Sequence, residues 1–385
     1  MKVLVIGCGL QGFEIASDLF KDKNIKVGVS DISRERLRRV KNIGISSIHK
    51  LDITDKKHLT GIIKQYDLIV GAVPGRYGFD LVKTVIESGR DMVDISFMPE
   101  DALKLDPLAR EHNVKIVVDC GLAPGISNFI VGHAQSVLKR IDEVHIAVGG
   151  LPQNPKPPLN YRTVFSLEDV MEEYTRKVRI IENGKFKIIE PMTGVEKIKF
   201  NGIGEFECFF TDGLRSLART VKGVKTMTEK TIRYPGHTSQ IKTLIECGFL
   251  DTKPIEFRMR SPRGTPVPET DPPSADRNNK IRPRDFTLKI LGDKLALGKD
   301  KDITLFRVVI KGEKTLKYEM VDYYTNGVTS MARTTGYPCA IVARLMNLID
   351  RVGVIPPEEL GKNSLIFSQL LDGLTKRRIK IKEII

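Results

Sequence analysis

A buried strand that runs directly into three spaced glycines constrains this chain more than any other feature. Val3 to Ile6 is a short apolar run, Gly7-x-Gly9-x-x-Gly12 follows it, and the apolar spacing after Gly12 is helical. The first glycine permits a tight turn, the second lets backbone approach a pyrophosphate, and the third lets helix and strand pack closely. The free N–H groups and partial positive charge of the helix start then face the phosphates. Roughly 20 residues past the turn, the apolar run Ile25 to Ser30 ends at Asp31, placed to accept hydrogen bonds from an adenosine ribose. Together these read as a dinucleotide site walled by Gly7, Gly9, Leu10, Gln11, Gly12 and Asp31. NAD is the expected cofactor, because a carboxylate at position 31 repels a 2′-phosphate; Arg34, three positions on, keeps NADP open.

The first 120 or so residues keep a regular alternation. Strands are expected at Val3–Ile6, Lys26–Val29, Ser46–Ile48, Leu68–Gly71, Met92–Asp94 and Ile116–Val118. Helices fit between them, for example Arg34–Val40, Leu59–Lys64, Phe79–Glu87 and Leu103–His112. Strands separated by helices pair in parallel through right-handed crossovers, and ligand lies beyond their carboxyl ends. That rule adds Ala72, Val73 and Pro74 after the fourth strand, Asp94 after the fifth and Gly121 after the sixth to the cofactor wall. Beyond residue 122 the pattern changes to longer, alternating strand-rich stretches such as Lys185–Ile189 and Leu305–Ile310. Arg333 to Ile349 reads as a helix, and the tail Lys376–Lys382 alternates charge with isoleucine as an edge strand does. The expected fold is α/β: a Rossmann doubly wound parallel sheet (1–122), an inserted α+β mixed-sheet domain (123–332), and a C-terminal segment (333–385) returning to the first domain.

Composition excludes several classes. A chain of 385 residues suits two domains, and 41% hydrophobic with 29% charged residues is ordinary for a soluble protein. No uncharged apolar run approaches the ~20 residues of a membrane span, and the first strand begins too early to leave room for a signal peptide. Cys8, Cys120, Cys208, Cys247 and Cys339 are scattered without CxxC spacing, which argues against a metal site and suits a reducing cytoplasm. The net charge of +14 is not accompanied by aromatic interleaving: aromatics are 6% and Trp is absent. Neither nucleic acid nor membrane is therefore an expected partner. Residues 261–283 carry six prolines among mixed charges, the composition of a surface loop.

Three polar clusters stand out after residue 150. Tyr161-Arg162 follows the turn LPQNPKPPL, Asp212 and Arg215 lie in TDGLRS, and Arg233 and His237 lie in TIRYPGH. Arginine suits bidentate capture of a carboxylate and aspartate suits an ammonium. Tyr161, Asp212, Arg215 and Arg233 are thus candidate substrate ligands, and Asp94, Asp119 and His237 are candidates for proton transfer. Each also has an ordinary structural reading as a cap, ion pair or satisfied core residue. Cys120 reads as a packing residue.

VIGCGLQG, VVDCGLAPGISN, VGGLPQNPKPPL, VFSLEDVMEEYT, TDGLRSLART, KTIRYPGH and SMARTTGYPCA resemble the saccharopine dehydrogenase family nearly end to end, most of all its lysine 6-dehydrogenase branch. The Pro-rich segment near 261–283 departs from that branch. The resemblance implies NAD-linked oxidative deamination of L-lysine at its side-chain amine, giving allysine, which cyclises to piperideine-6-carboxylate, and ammonia. It also implies a homodimer built through the inserted domain. Other branches reduce imines, as saccharopine and carboxynorspermidine dehydrogenases do, and fold alone does not choose among them. An NAD(H)-binding regulatory protein without turnover is the alternative from another class.

Overall fold

The computed structural model describes residues 1–256 and 280–384. Alternating strands and helices open the chain: β1 (Lys2–Ile6), α1 (Leu10–Phe20), β2 (Lys26–Asp31), α2 (Arg34–Asn42), β3 (Ser47–Lys50), α3 (Lys56–Ile63), β4 (Leu68–Gly71), α4 (Gly75–Glu87), β5 (Asp91–Asp94), α5 (Asp106–Glu111) and β6 (Lys115–Val117). All pair in parallel, in the spatial order β6-β5-β4-β1-β2-β3. The strand period of two explains why the sheet needs helices on both faces. Val3 and Val5 pack into one apolar core, while Leu4 and Ile6 pack into the core on the opposite side. The expected helix Leu103–His112 is broken into a 3-10 turn at Ala102–Leu105 and α5. Pro107 accounts for the break, since proline is accommodated in the first turn of a helix and not in its interior.

The second domain contains α6 (Ile126–Val137), β7 (Ile141–Pro152), α7 (Leu167–Thr175), β8 (Val178–Glu182), β9 (Lys185–Ile189), β10 (Glu196–Phe200), β11 (Gly204–Phe210), α8 (Leu217–Thr220), β12 (Thr226–Arg233), α9 (His237–Glu246), β13 (Ile255–Glu256), β14 (Lys280–Ile281), α10 (Pro283–Leu295), β15 (Asp302–Gly312) and β16 (Thr315–Tyr323). Its main sheet runs β10-β11-β12-β7-β15-β16. Only β12 and β7 pair in parallel there, so the sheet is mixed, as expected. Of the Pro-rich segment 261–283, residues 261–279 lie outside the described residues.

The chain then returns through α11 (Ser330–Leu345), β17 (Gly353–Ile355), α12 (Pro357–Gly361), α13 (Ser364–Lys376) and β18 (Lys382–Glu383). Helix α11 starts earlier than the apolar pattern suggests, because Thr329 caps it by accepting from the Ala332 N–H. Strand β17 extends the first sheet beside β6. The tail is an edge strand only at its end: α13 runs to Lys376, and Lys382–Glu383 alone pairs, with β16 at the edge of the second sheet. No helix among the described residues is long and apolar enough to cross a membrane.

Asp18 of α1 ties this return segment to the first domain. Its buried carboxylate accepts from Arg344 Nη1 at 2.8 Å and from Arg377 Nε and Nη2 at 2.8 and 2.7 Å. Removing one member of such a cluster strands the others in a poorly solvated place. Asp18→Ala is expected to lower stability by about 3–5 kcal/mol, read as a fall in the urea midpoint.

Candidate active site

A cavity of about 760 Å³ lies where the carboxyl ends of the parallel strands face the second sheet. Its first half is a cradle. Gly7 has φ +93°, and a Cβ there would overlap the Ala72 carbonyl; a Cβ on Gly12 would overlap Gly7 itself. Gly9 differs, since a Cβ on it would meet no protein atom within 4 Å. The absence of side chain at Gly9 leaves space, not packing. Helix α1 begins there with no side-chain cap, and its first backbone bond runs from Phe13 N–H to Gly9 O. The preceding amides thus remain available to an anion. A dinucleotide pyrophosphate fits this cradle.

At the adenosine end, Asp31 is fixed by its own backbone surroundings. Its Oδ2 accepts from the Cys8 N–H and its Oδ1 from the Ser33 N–H, both at 2.7 Å. Arg36 Nη1 lies 3.5 Å from Oδ2 and also lines the cavity. Leu10, Gln11, Ala72, Val73, Pro74 and Gly121 line the same space. Ten of the eleven cofactor candidates therefore share one wall, and Asp94 is the exception. It is fully buried beneath the wall, accepting from the Ser96 N–H and Oγ at 2.9 Å. Burial pushes its carboxyl up to about 7 despite those bonds. Asp94 shapes the turn that carries Ile95 and Phe97 into the cavity.

The second half of the cavity is polar and comes from the inserted domain. Strand period places Glu229, Thr231 and Arg233 of β12 on one face, and all three line the cavity. Helix period does the same for Asp169 and Glu173 of α7. Arg233 is fully buried against the ring of Tyr161, its guanidinium carbon 4.6 Å from the ring centre. It donates to Glu173 Oε2 at 2.6 Å, Ile232 O at 2.9 Å and Tyr174 Oη at 3.2 Å. Each terminal nitrogen carries two N–H groups, so each has one more to offer. Asp169 accepts from the Gly75 N–H at 3.3 Å across the domain junction, and burial pushes its carboxyl up to about 6. Glu168, on the outer side of α7, pairs with Arg76 of α4 at the same junction.

Several sequence candidates lie outside this cavity lining. Arg215 is buried and donates from Nε to Asp119 Oδ1 and Oδ2 at 3.1 and 3.2 Å and from Nη1 to the Met98 carbonyl. It joins the two domains behind the cavity, so neither it nor Asp119 faces substrate space. Asp212 is consumed by Arg179, which reaches it from Nε and Nη2 at 2.7 Å each. His237 lies between Tyr174 Oη and Leu159 O, 2.9 Å from each. Burial and the nearby Arg233 charge depress it to about 3, so it is a neutral support for Tyr174, not a proton carrier. Tyr161 packs under Arg233 and does not line the cavity. Cys120 is buried, and burial raises its thiol pKa, in keeping with a packing role. Sequence reasoning missed Asp169, Glu173 and Glu229. The signals were the i, i+4 spacing within LEDVMEEYT and the alternation along β12 that puts Glu229, four residues before Arg233, on the same strand face.

The two kinds of glycine are separable. Gly9→Ala is expected to keep the wild-type melting temperature while weakening dinucleotide binding by at least ~10-fold, since a Cβ there takes ligand space. Gly12→Ala should instead lower the melting temperature, as the clash is with protein. Thermal unfolding and a fluorescence titration with NADH on each variant check both outcomes.

Comparison with known proteins agrees with this division of labour. The family models for the saccharopine dehydrogenase NADP binding domain and the saccharopine dehydrogenase C-terminal domain match residues 3–117 and 121–379. The chain is 24% identical to a saccharopine dehydrogenase (NADP(+), L-glutamate-forming) of Schizosaccharomyces pombe, covering 99% of this chain and 98% of the relative. It is 23% identical to the like-named protein of Saccharomyces cerevisiae, with the same coverage. The solved apo structure of saccharopine dehydrogenase (L-Glu forming) from Saccharomyces cerevisiae superposes with a TM-score of 0.76 over 100% of both chains at 20% identity; that likeness speaks to the fold. With the cradle built by the first matched segment and the polar wall by the second, the chain belongs to the saccharopine dehydrogenase family, as an NAD(P)-dependent amino-acid dehydrogenase.

Proposed function

We propose that this protein oxidises the side-chain amine of a diamino monocarboxylic acid, L-lysine, with NAD as acceptor. One observation carries the reading. The polar half of the cavity sets a single guanidinium, that of Arg233, against three carboxyl groups, those of Asp169, Glu173 and Glu229. Lysine presents the complement: one carboxylate and two ammonium groups. Saccharopine has three carboxylates, and a site for it calls for further cations. The other arginines of the lining are Arg36, beside Asp31, and Arg76, paired with Glu168.

Arg233 holds the α-carboxylate through its remaining N–H groups, braced by Glu173 and the Tyr161 ring. Asp169, at the end of α7 nearer the cofactor loop Pro74–Gly75, suits the α-ammonium. The nicotinamide, when bound, accepts a hydride from the carbon bearing the reacting amine. Water then adds to the substrate's iminium carbon and ammonia leaves, so the substrate becomes an aldehyde. The protein's contribution is orientation, charge complementarity and a proton acceptor in a place sheltered from bulk water.

Asp31 supports NAD over NADP within this reading, since a carboxylate beside an adenosine ribose would repel a 2′-phosphate. Asp31→Ser removes that repulsion and releases Arg36, so the ratio of NADP to NAD affinity is expected to rise by at least ~10-fold, about 1.4 kcal/mol. A titration showing tighter NADP than NAD binding in the wild type removes the NAD assignment.

The direct test is absorbance at 340 nm with NAD and lysine as the only additions. Growth of the signal is the expected result. Activity restricted to a preformed saccharopine-type imine decides for the imine-reducing reading, and NAD(H) binding with no turnover on a panel of amines decides for a regulatory protein. Arg233→Lys keeps the charge but loses the planar fork; KM for lysine should rise by at least ~10-fold with a smaller change in kcat.

A further inference from the structure

We propose that Glu229 is the catalytic base of this site, the group that takes the proton from the reacting ammonium before its carbon is oxidised. The inference rests on the amine-oxidising reading above and names the residue that the reading requires.

Four features of the fold converge on Glu229. It lies on the cavity-facing side of β12 while being 3% exposed. Its Oε2 is buried with no hydrogen-bond partner, an arrangement costly enough to call for a use. Opposite it stands Gly213, where any Cβ would overlap the Glu229 carboxyl, so the bare backbone there is what admits the acid. Finally, Glu229 and Arg233 are four residues apart on one face of a strand, about 13 Å along its axis. A six-carbon amino acid held by its carboxylate at Arg233 extends its far amine along that face, past Thr231, toward Glu229.

The surroundings fit a proton acceptor. Burial, and then the negative charges of Asp212 after β11, Glu173 on α7 and Asp119 after β6, push its carboxyl up to about 8; Arg215 opposes them. An acid of that strength matches an alkylammonium, whose ordinary pKa is near ~10.4, better than a solvated glutamate does. The step balances simply. The ammonium loses one proton, the Glu229 carboxylate gains it, and the lone pair left on nitrogen assists departure of the hydride from the adjacent carbon. When water adds to the iminium carbon it sheds one proton to solvent; the protonated Glu229 gives its proton to the nitrogen, which leaves as ammonium while the carbinol becomes the aldehyde.

Glu229→Gln, with Glu229→Asp as a second variant, tests this. For the wild type, kcat/KM for lysine oxidation is expected to fall as pH drops below about 8, because the protonated acid accepts nothing. In Glu229→Gln, kcat should fall by at least ~100-fold, the limb should flatten, and melting temperature and NADH affinity should stay near wild type. Glu229→Asp should restore part of kcat and the limb. Infrared difference spectra of wild type against Glu229→Gln supply a readout independent of turnover: a protonated carboxyl band should disappear on adding lysine at pH 7. The band should persist with 6-hydroxynorleucine, which has a hydroxyl in place of the amine. Retention of the limb and of most of kcat in Glu229→Gln, or a band indifferent to every amine, overturns the proposal. If wild type ignores lysine yet the band responds to another amine substrate, the lysine reading fails and Glu229 keeps its role.

Discussion

The buried pair between Arg215 and Asp119 is the contact on which the site's architecture depends. Asp119 lies two residues past the end of β6, and Arg215 comes from the turn that leads into α8 of the inserted domain. Both sit at a left-handed φ of +53°, a costly conformation outside glycine. The arginine also grips the carbonyls of Met98 and Glu100, so one side chain anchors the inserted domain to two strand-end loops. Asp212 is locked to Arg179 close by. These bonds hold β12 at a set distance from the glycine cradle. They also explain why residues typed correctly for substrate recognition stand behind the wall instead of in it.

With the domains fixed, the cavity is built from periodicity. A strand presents every second side chain and a helix every third or fourth, so β12 and α7 each deliver a short row of polar groups to one surface. Acid, hydroxyl and guanidinium follow each other along β12, and two carboxyls follow each other along α7. The outer row of α7 does different work: Glu172 pairs with Arg176 and Arg284, and Glu168 with Arg76. Gly213 completes the arrangement by contributing nothing but backbone.

The first domain was nearly transparent to sequence reasoning because its signals are local. The turn at Gly7, the acid at Asp31 and the strand-end positions Ala72 to Pro74 are determined by the residues around them. The polar wall was less legible. Arg233 could be picked out by type, yet Glu229 in TMTEKTIR looks like one charge on the solvent face of an alternating strand, and only the tertiary position of β12 turns that face inward. Arg215, Asp212 and His237 were chosen by chemistry alone, and chemistry does not reveal whether an opposite charge elsewhere in the chain has already claimed a group. The C-terminal tail misled in part, for a related reason: its alternation of charge and isoleucine suits the end of a helix and a loop as well as a strand.

The inward turn of so many carboxyl groups has a consequence for traffic. The molecule as a whole carries +14, so its outer field draws in an anionic dinucleotide and, on the lysine reading proposed above, repels the cationic substrate. Added salt screens that long-range field, whose reach is ~10 Å at 0.1 M, and barely touches charges sheltered within the cleft. Ionic strength therefore slows arrival of the cofactor, hastens arrival of the proposed amine substrate, and leaves their dissociation largely alone, which on that reading makes order of addition a property of the medium as well as of the protein.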